Sequence, residues 1–170
     1  MVRELLIGCG KQRKKVIYQP GKQDFENVTT LDINPDHNPD VVWDLNNLPL
    51  PFEDNTFDEI HAYEVMEHVG QQGDYKFFFA QFTDFWRILK GGGILYGSSP
   101  AWGSKWAWGD PSHTRIISPE SLTFLSQAQY KKQVGETPMS DFRYIYTANF
   151  QCVWKETKEE SFMYALEAIK

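Results

Sequence analysis

Leu5-Leu6-Ile7-Gly8-Cys9-Gly10 constrains the fold of this chain more than any other stretch. Three apolar residues suit a strand buried on both faces, and the two glycines after them make a turn that a ligand can approach closely. A second β-branched run, Val28–Ile33, carries Asp32, which lies 22 residues past Gly10. That is near the ~20-residue spacing at which an acidic side chain meets a ribose diol in nucleotide-binding βα units. A carboxylate suits the diol because its two oxygens accept both hydroxyl hydrogens. The segment between Gly10 and Val28 contains Pro20-Gly21, which breaks helices. The usual first crossover helix is therefore expected to be shortened or missing. Gln12 stands where a third glycine is usual, at little cost, since that glycine serves helix–strand packing.

Further strand-like runs follow at Asp40–Asp44, Phe57–Val65 and Gly93–Ser98. Phe78, Phe82, Phe85, Trp86 and Leu89 recur at helical spacing, so Tyr75–Leu89 is expected to be a helix. Asp74 is placed to cap its start and Gly91–Gly93 to stop it. A second helix is expected from Ser118, with Pro119 first and Leu122, Leu125 and Ala128 along one side. Two β-rich runs, Phe142–Lys155 and Ser161–Ile169, close the chain around the charged turn Glu156–Glu160. The pattern is an α/β fold: an open, doubly wound, mostly parallel sheet with an antiparallel C-terminal hairpin strand. With 170 residues, 41% of them apolar, residues 1–170 are expected to form a single domain.

The formal charge of −6 points away from non-specific binding to nucleic acid or anionic membrane. No apolar run approaches the ~20 residues needed to span a bilayer, and the start of the chain lacks the pattern of a signal peptide. Cys9 and Cys152 make neither a disulfide framework nor a zinc motif. A soluble, cytoplasmic protein is expected.

Ligands of open α/β sheets sit beyond the C-terminal strand ends, which here carry Gly8-Cys9-Gly10, Asp32, Asp44 and Glu64. Together "LLIGCG", "LDIN", "VVWDLNNLPLPFEDNTFDEIHAYEVMEHV" and "LKGGGILYGSSP" resemble the class I S-adenosylmethionine-dependent methyltransferases, especially the compact type-11 group. The resemblance covers roughly Glu4 to Pro100. It implies S-adenosylmethionine as cofactor, with Gly8, Cys9 and Gly10 bordering its methionine part. It further implies that Asp32 holds the ribose hydroxyls, with Ile33 against adenine. Asp44 would accept from the adenine amino group, beside a backbone donor from Leu45. Tyr63 and Glu64 would lie near the methionine end, and the turn Glu67–Val69 would place His68 near the methyl group. The family's acidic residue two positions before the first glycine is absent, since that position is Leu6. Glu64 could supply the missing charge, and Lys11 or Arg13 could pair with the methionine carboxylate.

His68, His113 and Glu64 are the candidate bases, in that order, for an acceptor that must lose a proton. Cys9 is expected to be a small loop residue, since a thiol nucleophile needs an activating base. His61, inside a strand, reads as structural. "HAYEVMEH" matches neither H-E-x-x-H nor H-x-x-E-H, so no metal site is expected. The basic run Lys11–Lys15 reads as a solvated loop or an anion contact. Trp102, Trp106 and Trp108 crowd the loop after the fifth strand, either as a binding surface or as packing over the thin sheet. The expected function is methyl transfer to a small-molecule acceptor. An NAD(P)-dependent oxidoreductase and a non-catalytic cofactor-binding module are the alternatives.

Overall fold

The computed structural model describes residues 2–170. Seven strands form one sheet: β1 (Glu4–Ile7), β2 (Val28–Asp32), β3 (Val41–Val42), β4 (Phe57–Tyr63), β5 (Leu89–Pro100), β6 (Phe150–Thr157) and β7 (Ser161–Ala168), in the order β3-β2-β1-β4-β5-β7-β6. Strands β1 to β5 pair in parallel, and β7 runs antiparallel to both β5 and β6. This is the open, mostly parallel sheet with an antiparallel C-terminal hairpin that the sequence leads one to expect. The order turns back on itself at β1, the switch point where ligands of such sheets bind. Ile7 pairs with Leu31 and with Ala62, and Tyr63 with Ser98, so Gly8, Asp32 and Glu64 emerge along one edge.

Helix α1 (Tyr75–Ile88) begins at Asp74, whose side chain accepts from the Phe77 N–H. Its stripe buries Phe79, Phe82, Phe85 and Ile88 against Leu5, Leu31, Ile60 and Leu95 of the sheet. The helix passes straight into β5 at Leu89, so Gly91–Gly93 lie inside that strand rather than stopping the helix. Gly92 takes φ +78°, and the register slips between Phe57↔Leu89 and Glu59↔Ile94, so the glycines form a bulge. A four-residue helix, α2 (Trp106–Gly109), lies within the tryptophan-rich loop. The second expected helix is split into α3 (Pro119–Thr123), with a Ser118–Ser121 capping box, and α4 (Gln127–Gln133). Ser126 caps the restart through the Gln129 N–H. The run from Phe142 becomes a strand only at Phe150, because Phe142 and Tyr146 turn inward onto Phe79. Strand β3 is short because Asp40 turns back on Thr30 and Asp44 on Asn46, diverting backbone donors from the ladder.

Helices α1, α3 and α4 pack into one core on one face of the sheet. Among the described residues no helix joins β1 to β2, and the loop between them covers the other face. Ile17 packs on Tyr96 and Ala165, and the Lys15 ammonium is buried between the carboxylates of Glu4 and Glu59. The basic run is thus only partly solvated. His61, fully buried, contacts Glu59 at 3.0 Å and Tyr63 Oη at 2.6 Å, in keeping with a structural role. Burial disfavours ionised Glu59, yet the bonds from His61 and Lys15 outweigh it and bring its pKa down to about 2. Tyr164 of β7 lies across Gly97 of β5, where an added Cβ would come within 2.2 Å of the ring.

Candidate functional site

The cleft at the switch point has a volume of about 390 Å³. Its floor is the β1 turn, where Gly8 and Gly10 take φ +60° and +50°, a region that disfavours side chains. Asp32 at the end of β2 is almost fully buried. Its Oδ2 accepts from the Gly10 N–H and its Oδ1 from the Asn34 N–H, both at 2.8 Å. The His37 Nδ1 approaches Oδ2 at 3.2 Å without hydrogen-bond alignment. Burial alone would raise the Asp32 pKa; the two backbone donors and His37 outweigh it and leave it lowered. Each carboxylate oxygen can accept more than one bond, so this anchored group retains acceptor capacity.

Ile33, 64% exposed, offers an uncovered apolar surface beside Asp32. Asp44 and buried Leu45 line the far wall, where Asp44 Oδ1 holds the Asn46 N–H at 2.8 Å. A Cβ on Gly10 would meet no protein atom within 4 Å, so the space over it is open. An open cradle at a glycine, a fixed acidic acceptor, an exposed apolar face and a second carboxylate fit a nucleoside carrying a short chain.

Gly8, Gly10, Asp32, Ile33, Asp44, Leu45 and His68 all line this cleft. Cys9 does not: its side chain is buried and its N–H bonds Leu31 O, while burial first, then Asp32, raises its thiol pKa. Tyr63 also does not, because its hydroxyl donates to Ile17 O at 3.1 Å on the face of the β1–β2 loop. Glu64 has φ +51° and accepts from the Ser98 hydroxyl at 2.7 Å. Arg13 donates to the carbonyls of His37 and Asn38, bracing the β2–β3 loop.

His68 stands beside the loop after β5. Its Nδ1 lies 3.1 Å from Ser112 Oγ, and that hydroxyl donates to Asp110 Oδ1 at 2.5 Å. The His113 Nδ1 meets Trp106 O at 2.9 Å and Ala107 O at 3.2 Å. The two imidazoles meet edge to face, 4.6 Å apart, which ties the tryptophan loop to the cleft. Trp102, Trp106 and Trp108 are 64%, 49% and 57% exposed and are not core.

Glu67 is the residue sequence reasoning passed over. It is 2% exposed, its Oε2 accepts from Ser99 Oγ at 3.1 Å, and its Oε1 has no partner. Burial, reinforced by Glu64, raises its pKa to about 7. The only sequence signal was its place beside His68. Arg115, also buried, holds the same turn through Met66 O and reaches Gln81.

A family model described as a methyltransferase domain matches residues 5–97. Among solved structures, a SAM-dependent methyltransferase from Archaeoglobus fulgidus superposes with TM-score 0.60 at 16% identity, over 98% of this chain and 86% of that one. The N-methyltransferase NodS from Bradyrhizobium japonicum WM9, in complex with S-adenosyl-L-homocysteine, gives 0.59 at 13% identity, over 99% and 79%. A putative methyltransferase complexed with the Haloferax volcanii Trm112 methyltransferase activator gives 0.58 at 14%, over 99% and 83%. At such identities the likeness is one of fold. No curated protein matches the sequence.

Proposed function

The chain belongs to the methyltransferase-domain family and is an S-adenosylmethionine-dependent enzyme, and from that premise we propose that residues 1–170 act as one domain that methylates a small-molecule acceptor. The observation that carries the site assignment is the meeting of Gly10, Asp32, Ile33 and Asp44 at one cleft. Asp32 takes the ribose hydroxyls and Asp44 the adenine amino group, with Leu45 lending its backbone. Ile33 covers the base, and Gly8 and Gly10 let the chain approach the amino-acid portion. Glu64 stands in for the carboxylate that Leu6 cannot provide. Cys9 contributes backbone only, and Tyr63 acts from below by holding the loop that closes the opposite face.

When bound, the cofactor supplies an activated methyl, so the hard chemistry is its own. The protein's residues have to hold the acceptor in line and keep water out, an orientation effect worth several kcal/mol. His68 and His113 sit together where the tryptophan loop meets the cleft. Imidazole is the usual side chain for taking a proton near neutral pH. Both Nδ1 atoms are engaged on oxygens, so Nε2 is the atom left to accept it. Trp106 and Trp108 provide the wall against which a flat organic acceptor rests. The −6 charge favours a small acceptor over nucleic acid.

Calorimetry with S-adenosylhomocysteine, followed by turnover assays against phenols, amines, thiols and carboxylic acids, tests this reading. Saturable binding with turnover of one class is expected. Binding of NAD in place of S-adenosylhomocysteine would overturn it.

A further inference from the structure

A carboxylate oxygen of Glu67 and a ring nitrogen of each of His68 and His113 lie within 4.8 Å of one another. The segment around His68 contains no metal motif because its partner, His113, comes from the far side of β5. The fold assembles the group from the turn Met66–His68 and the loop after α2.

Three features set this cluster apart from a chance gathering of polar groups. The Ser112 hydroxyl spends its proton on Asp110, so the His68 Nδ1 must be the donor in its contact with Ser112. Carbonyl oxygens only accept, so the His113 Nδ1–H donates to Trp106 O. Both rings are thereby fixed with a lone pair on Nε2, the arrangement by which outer oxygens orient metal-ligating histidines. Glu67, 2% exposed, leaves Oε1 without a partner. Finally, His68 is exposed and His113 half-buried, so one side of the cluster stays open.

We propose that Glu67, His68 and His113 form a site for one divalent transition-metal ion of the zinc class, with an open position facing the cleft. Two imidazoles and one carboxylate are a donor set such ions accept, and three protein ligands with a free position mark sites that bind an exchangeable ligand. Donors around an ion at ~2.1 Å sit about 3.5 Å apart, so binding needs about an ångström of side-chain adjustment. With the ion bound, both Nε2 lone pairs are taken and the histidines no longer serve as bases; an acceptor oxygen or nitrogen then takes the open position and is held for methylation. That role rests on the function proposed above; the site itself does not.

The test uses untagged protein carrying Cys152→Ser, which removes the exposed thiol. Calorimetry with Zn²⁺ is expected to show one equivalent bound in the micromolar range or tighter, and Co²⁺ to give visible d–d bands. His68→Ala and His113→Ala should each weaken Zn²⁺ at least tenfold. His68 is exposed, so its variant is expected to melt like the parent even if Glu67→Gln fails to fold. Absence of saturable micromolar binding, or parental affinity in either histidine variant, overturns the site. S-adenosylhomocysteine affinity on the same samples separates the two readings. Protein that binds S-adenosylhomocysteine but fails to bind Zn²⁺ refutes the metal site alone, whereas protein that binds Zn²⁺ but not S-adenosylhomocysteine supports the site and refutes the cofactor cleft.

Discussion

A carboxylate that already accepts two backbone N–H groups, as Asp32 does from Gly10 and Asn34, has its oxygens fixed before any ligand arrives. Replacing it by Asn keeps the shape but turns one oxygen into an N–H donor. That donor must face either the Gly10 N–H or the Asn34 N–H, and it withdraws an acceptor from the ribose hydroxyls, a loss of roughly 1–3 kcal/mol. Asp32→Asn is therefore expected to weaken S-adenosylmethionine binding about tenfold or more. Calorimetry checks this, and unchanged affinity in a folded variant rejects the ribose assignment. The neighbouring glycines differ in what an added methyl would meet. At Gly8 a Cβ would lie 2.4 Å from Val65 Cγ2, whereas at Gly10 it would meet nothing of the protein within 4 Å. Both positions bear the left-handed strain of about 1–2 kcal/mol. Gly8→Ala should accordingly lose additional stability through Val65, and Gly10→Ala should fold yet lose most of its cofactor affinity. Thermal melts and cofactor titrations on the pair separate the two; normal cofactor affinity in Gly10→Ala would mean that the turn does not touch the ligand.

At the level of elements, α2 and its flanking loop are tied to the site by His113, whose ring bonds the Trp106 carbonyl and packs on His68. Trp106 is 49% exposed, so removing its ring takes little from the core. Trp106→Ala is expected to shift the melting temperature by no more than about 2 °C, the scale of a surface substitution. Turnover should fall several-fold while cofactor affinity stays within a few-fold. A large drop in melting temperature with turnover per folded molecule intact would return the tryptophans to a packing role. How far such elements could be read beforehand follows from the range of the forces that make them. β1, β2 and α1 follow from apolar periodicity and a cap within their own segments, and the sequence places them to within a residue or two. The Gly91–Gly93 bulge is not legible, because a glycine that ends a helix and one that bulges a strand look alike until the partner strand is known. Asp32 and Asp44 were legible as strand-end acids. Glu67 and the buried pairing of Lys15 were not, since His113 and Glu59 approach them only through the tertiary fold.

For the whole molecule the unusual feature is a sheet with helices on one face and, among the described residues, a charged plug on the other. Glu4, Lys15, Glu59 and His61 are all nearly or fully buried there, with the Tyr63 hydroxyl facing His61. The signs of their shifts define the pH window of stability. Burial lowers the His61 pKa from 6.5, so the unfolded chain takes up that proton first and stability begins to fall as pH drops below 6.5. Glu59, brought down from 4.5 to about 2, contributes stability above 4.5 that is lost as pH falls from there toward 2. For Lys15 desolvation opposes the charge, yet the bonds to Glu4 and Glu59 prevail and raise its pKa above 10.5, so its contribution is complete below 10.5 and lost above. The plug's contribution is therefore expected to be flat at neutral to mildly alkaline pH and to decline on the acid side, where Glu67, raised from 4.5 to about 7, opposes it by adding stability as pH falls from 7 toward 4.5. Lys15→Met tests whether the plug governs this profile. Removing the ammonium leaves two buried carboxylates without their cation, a cost of about 3–5 kcal/mol, or on the order of 10 °C for a chain of this size. In that variant Glu4 and Glu59 repel each other when ionised, so taking up a proton relieves the fold instead of harming it. Its melting temperature should accordingly rise relative to the parent's between pH 7 and pH 5, a difference in which the shared response of Glu67 cancels. Parallel profiles for the two proteins would show that the acid response comes from other groups, and that the plug packs without steering the electrostatics of the sheet.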